Sequence, residues 1–287
     1  MNESAIAFGR HDQLLGVWNE PQERQYNAAV IFVTAGMLHH CGPFRLHVAA
    51  ARELASRGIP SLRFDLSGIG ESLAVGSQGS SLNRAASEIR DAINWIATTT
   101  DQNGKEKIDK VILFGLCSGA DDSLHAASLD DRIVGLISVD GCGYRTLGYH
   151  LRRAFLFYLP RILSLAKWKG LWQRHRQLKN AVPRSLQPGH DVREFPPRRE
   201  ARRILRALLQ RDVRLHFIYT GGSESGQYFN YDGQFKAMFP KLHRDHRLTY
   251  RYFADMDHVA FLWEDRVRLV SNIAQVAAGI AAANKGE

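Results

Sequence analysis

Val111-Ile112-Leu113-Phe114-Gly115-Leu116-Cys117-Ser118-Gly119-Ala120 is the stretch on which the reading of this chain turns. An apolar run of strand length passes without a spacer into Gly-x-Cys-x-Gly, and Ser118 to Ser128 then suits a helix. A strand that feeds straight into a helix leaves room only for a sharp turn, with its central residue on a strained backbone. Side chains at Gly115 and Gly119 would collide with the neighbouring strand and helix, which is the steric reason for two glycines. Cys117 is thereby presented at a helix N-terminus, where the dipole favours a thiolate.

Outward from this turn, short apolar runs alternate with amphipathic helical stretches. That pattern predicts a mostly parallel sheet covered on both faces. The expected strands are Ser4–Phe8, Gln13–Trp18, Ala28–Thr34, Pro60–Phe64, Lys110–Phe114, Arg132–Val139, Val213–Tyr219 and Arg247–Phe253. Between them fall helices over Pro43–Arg57, Leu82–Thr98, Ser118–Ser128, Tyr231–Phe239 and Glu264–Ala282. Ala28–Thr34 is apolar almost throughout, as a central strand buried on both sides must be.

The 287 residues carry 38 Lys and Arg against 29 Asp and Glu, a net charge of +9. With 45% hydrophobic and 23% charged residues, disorder, collagen-like repetition and coiled coil are disfavoured. The excess is local. Arg152–Arg211 holds 16 basic and 3 acidic residues, net +13, whereas the remainder holds 22 and 26, net −4. Such a shift marks an inserted module. The expected organisation is therefore a core over 1–142, a basic helical cap over 143–211 after the sixth strand, and the rest of the core over 212–287.

Three cysteines, Cys41, Cys117 and Cys142, show no CxxC spacing, which speaks against a disulfide framework and structural zinc. With no signal-peptide pattern at the N-terminus and no apolar run approaching the ~20 residues of a membrane helix, the expected location is the cytoplasm. His39, His40 and Cys41 adjoin one another but lack a second ligand group, so they read as a pocket rim and no metal is expected. Gly68-x-Gly70 lacks the third glycine of a dinucleotide loop, Leu73 standing in its place, and no cofactor is expected either.

The strand–Gly115-x-Cys117-x-Gly119–helix unit resembles the nucleophile elbow of the α/β-hydrolase fold, with cysteine where that family usually has serine. The resemblance implies an eight-stranded, mostly parallel sheet with helices on both faces and a helical cap after strand 6. It implies a chain order of nucleophile, acid and histidine. Cys117 is then the nucleophile. The acid after the seventh strand is Glu224, three residues beyond Gly221, with Asp140 at the end of the sixth strand as the alternative. His258 in Asp255-Met256-Asp257-His258-Val259-Ala260-Phe261 matches the family's histidine loop before the last helix. The oxyanion hole would use the main-chain amides of Ser118 and of Met37 in Thr34-Ala35-Gly36-Met37, with Gly36 letting the backbone turn close to the substrate. Asp65-x-x-Gly68-x-Gly70-x-Ser72 is similar to the turn after the fourth strand of the same fold.

Gly42-Pro43-Phe44-Arg45, Ala51-Arg52-Glu53-Leu54-Ala55 and Arg63-Phe64-Asp65 with Gly68-Ile69-Gly70-Glu71-Ser72 make a narrower match. Together with Gly115-Leu116-Cys117 they are similar to bacterial hydrolases of exosortase and exopolysaccharide loci, in the serine-aminopeptidase-like branch. The expected activity is ester or thioester hydrolysis through a Cys-His-Glu triad and an acyl-cysteine. An acyltransferase or condensing enzyme is the second reading, since Gly-x-Cys-x-Gly also occurs in polyhydroxyalkanoate synthases. A non-catalytic binding protein on the same fold is the third. The expected substrate is an acyl ester or thioester, on coenzyme A (acyl-CoA) or a phosphopantetheine carrier protein. The basic cap reads as a solvated lid, as a site for such an anionic partner, or as a peripheral contact with an anionic membrane; nucleic acid is not expected.

Overall fold

The computed structural model describes residues 1–74, 80–102, 107–159, 196–221 and 230–285. Eight strands form one sheet: β1 (Asn2–Phe8), β2 (Leu14–Glu20), β3 (Ala28–Val33), β4 (Ser61–Phe64), β5 (Lys110–Leu116), β6 (Ile133–Val139), β7 (Arg214–Thr220) and β8 (Leu248–Phe253). Their spatial order is β1-β2-β4-β3-β5-β6-β7-β8. β1 and β2 run antiparallel to each other and β2 antiparallel to β4, whereas every pair from β4 to β8 is parallel. Each expected strand forms, within about two residues of its expected ends.

Parallel strands bury both faces. Every residue of β3 is buried, and so is nearly all of β5 and β6. One face is covered by α1 (Leu46–Ser56) and by the last helix, whose Leu269, Ile273, Ala277 and Ile280 pack on Val30, Phe32, Ile112 and Phe114. The other is covered by α2 (Ser81–Gln102) and α3 (Ser118–Ala127), through Ile89, Ile93, Ile96 and Leu124 against Ile31, Val33 and Leu113. α4 (Leu147–Arg152) follows β6, where the cap was expected to begin. Residues 160–195, the greater part of the expected cap, lie outside the described residues.

The expected cap boundary at 211 runs too far. α5 (Arg198–Gln210) lies inside that range yet belongs to the layers of the core. Ala201, Ile204, Leu205, Leu208 and Leu209 recur at helical spacing and are all buried in the same cluster as Phe217 and Leu113. The arginines that made this segment resemble an insertion lie off that apolar stripe or tie the helix ends down. Arg198 donates to the Met238 and Ala237 carbonyls, and Arg211, just past the end, donates to the Ala127 and Asp130 carbonyls. Two further helices complete the chain: α6 (Gln234–Met238) and α7 (Trp263–Ala283).

Chain progression reverses direction between β3 and β5. β4 lies to one side of β3 and β5 to the other, so the loops leaving both strands diverge and open a crevice at the carboxyl edge of the sheet. The Thr34–Met37 loop and the Cys117 turn meet there.

If α5 is a core helix, Leu205→Ala should lower stability by about 2–5 kcal/mol, while Arg206→Ala, on its exposed face, should change it by less than about 0.5 kcal/mol. Urea unfolding checks this. A Leu205→Ala loss below about 1 kcal/mol would place the helix outside the core.

Candidate active site

Cys117 has φ 55° and ψ −120°, a conformation that non-glycine residues avoid. What holds it there is close backbone contact on both sides. A Cβ at Gly115 would lie 2.2 Å from the Gly119 carbonyl oxygen, and one at Gly119 would lie 2.6 Å from that of Val33 and 2.7 Å from that of Thr34. The Cys117 amide donates to the Val139 carbonyl at 2.9 Å, which fixes the turn to the end of β6. The two glycines thus do what the sequence implied, and the second also brings α3 onto the end of β3.

His258 leaves the loop after β8, and its Nδ1 is 2.7 Å from Oδ2 of Asp140. Asp140 follows β6 at φ 52° and is 3% exposed. Its carboxylate is further held by the Thr220 amide (2.8 Å), the Thr220 hydroxyl (2.5 Å) and the Asn230 side-chain amide (2.9 Å). A carboxylate this buried is costly unless donors surround it, and four do. With Nδ1 engaged, Nε2 is the imidazole nitrogen left for the Cys117 thiol, to which His258 is also hydrogen-bonded. Burial pushes the imidazole pKa down, but the hydrogen bonds and charges of Asp140 and Cys117 outweigh it and hold the pKa up at about 9.

Among the two expected acids, the structure brings Asp140 to the histidine. Glu224 falls outside the described residues. Thr220 and Asn230, which hold the Asp140 carboxylate, were not foreseen. Their only trace in sequence is that Thr220 ends β7 beside the end of β6. The histidine loop is braced as well. Asp257 accepts the Val259 and Phe261 amides, and Arg266 donates to the Ala260 carbonyl.

The two residues expected to supply oxyanion donors, Ser118 and Met37, lie on segments joined by the hydrogen bond from the Gly36 amide to the Ser118 hydroxyl. Ser118 opens α3, so its amide has no intrahelical acceptor. The Thr34–Met37 loop turns at Gly36 (φ 54°), with the Leu38 amide closing on the Ala35 carbonyl at 2.9 Å. Met37 is 85% exposed, and its amide has no hydrogen-bond partner among the described residues. Beyond it, the His40 amide and Nδ1 both bond the buried Asp65 carboxylate. Gly70 wraps that same carboxylate at φ 55°, and a Cβ there would lie 2.2 Å from it. The Asp65-x-x-Gly68-x-Gly70-x-Ser72 segment is therefore a structural turn that anchors the far end of the oxyanion loop. His39, His40 and Cys41 are part of this anchoring: the Cys41 amide meets the His39 ring, and His40 is committed to Asp65. Among the described residues no three His, Cys, Asp or Glu side chains gather as a metal-binding group. His47 beneath them is fully buried between Phe32 and Phe114, and burial drives its pKa down to about 4, so it is neutral.

Exposed apolar side chains lie on the histidine loop and on the loop before α1. Phe44 and Phe261 meet edge to face at 5.0 Å, joining the loop before α1 to the histidine loop, with Leu262 and Trp263 exposed alongside.

No family model and no curated protein sequence matches the chain. Solved structures do. A hydrolase from Agrobacterium vitis superposes with a TM-score of 0.56 at 14% identity, over 98% of both chains. An α/β hydrolase from Penicillium gives 0.59 at 16% identity, over 98% of this chain and all of the other. An esterase from Pyrococcus furiosus gives 0.57 at 12% identity, over 96% and 89%. The chain has the α/β-hydrolase fold. Among the described residues no helix is long and apolar enough to cross a membrane.

The pH behaviour follows from His258. Its folded pKa lies above the ordinary 6.5, so its pairing adds stability that is full below pH 6.5 and is lost as pH rises through about 9. Asp140→Asn removes the largest support of the imidazolium. The pKa of His258, followed by the NMR shift of its ring protons, should then fall by more than about one unit; an unchanged value would mean that Asp140 does not support its charge.

Proposed function

We propose that the protein is an acyl-transfer hydrolase, an esterase or thioesterase that works through Cys117, His258 and Asp140. The observation that carries this reading is the unbroken chain of hydrogen bonds from the Cys117 thiol through the His258 imidazole to the Asp140 carboxylate, with the thiol on a strained turn at a helix N-terminus. Asp140 takes the role of the acid because it is the carboxylate in contact with the histidine.

In the resting site the thiol proton already resides on His258 Nε2, giving a thiolate–imidazolium pair whose cation is held by Asp140 at Nδ1. The Cys117 sulfur adds to the substrate carbonyl carbon, and the carbonyl oxygen becomes an anion received by the Ser118 and Met37 amides. As this intermediate collapses, the alkoxide or thiolate leaving group departs with the proton from His258. That leaves an acyl-cysteine. Water then attacks the same carbonyl and gives a proton to His258, and collapse releases the acid and returns the thiolate. Main-chain donors and a thiol–imidazole pair supply each step. The ten basic residues between Arg152 and Arg193 favour a substrate whose leaving group is anionic, such as acyl-CoA or an acylated carrier protein.

Steady-state hydrolysis of short acyl thioesters and 4-nitrophenyl acetate tests the assignment. Cys117→Ala should lower kcat by at least about 10³-fold, and Asp140→Asn by on the order of 10²- to 10⁴-fold. Glu224→Gln should stay within about twofold of the wild type. Turnover unaffected by Cys117→Ala contradicts the covalent route. A large loss at Glu224 with none at Asp140 moves the acid.

A further inference from the structure

Ser118 offers more than its amide. Its hydroxyl oxygen accepts the Gly36 amide at 2.7 Å, across 82 residues of sequence. The bond joins the two segments that carry the oxyanion donors, the elbow and the loop after β3. It also settles which loop amide is free: the Gly36 N–H is committed to Ser118, and the Met37 N–H is left for the substrate. Between Gly36 and His39 this is the loop's one hydrogen bond to another part of the chain among the described residues. Leu38 and His39 are exposed, so packing does little to hold the loop in place. On one side the backbone contact of Gly119 with Val33 and Thr34 sets how closely loop and elbow approach. On the other, Asp65 fixes His40. Neither contact fixes the orientation of the Ala35–Gly36 peptide, whose N–H the Ser118 hydroxyl holds and from which the Met37 amide follows one residue on.

We propose that Ser118 is a positioning residue whose hydroxyl holds the Met37 amide in register with its own amide around the substrate's carbonyl oxygen. The inference rests on the reading of Cys117 as an acyl-accepting nucleophile. A preorganised donor pair stabilises an oxyanion because no reorganisation is needed as charge develops, and a displacement of about 1 Å forfeits much of that gain. The hydroxyl touches the loop and not the thiol–imidazole pair, so its removal should separate two properties that general damage would change together.

Ser118→Ala should lower kcat for 4-nitrophenyl acetate by about 100-fold with KM little changed. Alkylation of Cys117 by iodoacetamide, which needs the thiolate but no oxyanion hole, should stay within about twofold of the wild-type rate. Ser118→Thr keeps the hydroxyl and should recover most of the lost rate. In the NMR spectrum the Gly36 amide should exchange with solvent faster in Ser118→Ala than in the wild type. A Ser118→Ala enzyme with wild-type kcat overturns the proposal. So does a loss of kcat matched by an equal loss of alkylation rate, which marks a purely structural role. A wild type that neither turns over ester nor alkylates at Cys117 refutes the functional reading instead. The amide exchange then still decides the tether, which unchanged Gly36 protection in Ser118→Ala would overturn.

Discussion

The hydrogen bonds on the Asp140 carboxylate hold three strand ends together. Thr220 at the end of β7, Asn230 before α6 and His258 after β8 all donate to this one buried group at the end of β6. Four donors from three residues, all far from Asp140 in the chain, surround this carboxylate at 3% exposure, and the same four fix its orientation. His258 inherits that orientation through Nδ1, and with it the pKa of about 9 that keeps the imidazole charged at neutral pH. Placing an imidazolium beside a half-buried sulfur at a helix N-terminus is what favours the thiolate at Cys117.

The second constraint is steric and comes from the other half of the crevice. Gly115 and Gly119 let β5, α3 and the end of β3 approach to backbone contact, with Cys117 at φ 55° and the Gly36 amide within hydrogen-bond reach of Ser118. The nucleophile and the anion site are thus set by one contact, and the base and its carboxylate by another. They meet because β3, β5, β6, β7 and β8 are parallel and end at the same edge.

Much of this was legible in the sequence. Eight apolar runs of strand length predicted eight strands, and a strand touching Gly-x-Cys-x-Gly predicted the turn. The position of His258 before the last helix followed from chain order. The acid was harder for a physical reason. Val139 pairs with Ile218 in parallel register, so the carboxyl ends of β6 and β7 lie side by side, and a carboxylate after either strand is placed near the histidine loop. Spacing along the chain does not separate Asp140 from Glu224; what places Asp140 at the histidine is its bond to His258 Nδ1, a tertiary contact. The Ser118–Gly36 bond was invisible for the same reason. α5 was misassigned because composition was weighed above periodicity. The arginines of 198–211 read as an insertion, although Ala201, Ile204, Leu205, Leu208 and Leu209 already have helical core spacing. Six of the 16 basic residues of that stretch therefore belong to, or directly follow, a core helix.

The central claim, that Cys117 accepts an acyl group, is tested most directly by trapping it. The protein is mixed with a short acyl thioester, quenched in acid within the first turnover, and its intact mass and peptides are measured. The account predicts a mass increase of one acyl group, carried on the peptide containing Cys117 and absent from Cys117→Ala. A protein that turns the substrate over while its mass stays unchanged, or that carries the acyl group on another residue, would contradict it.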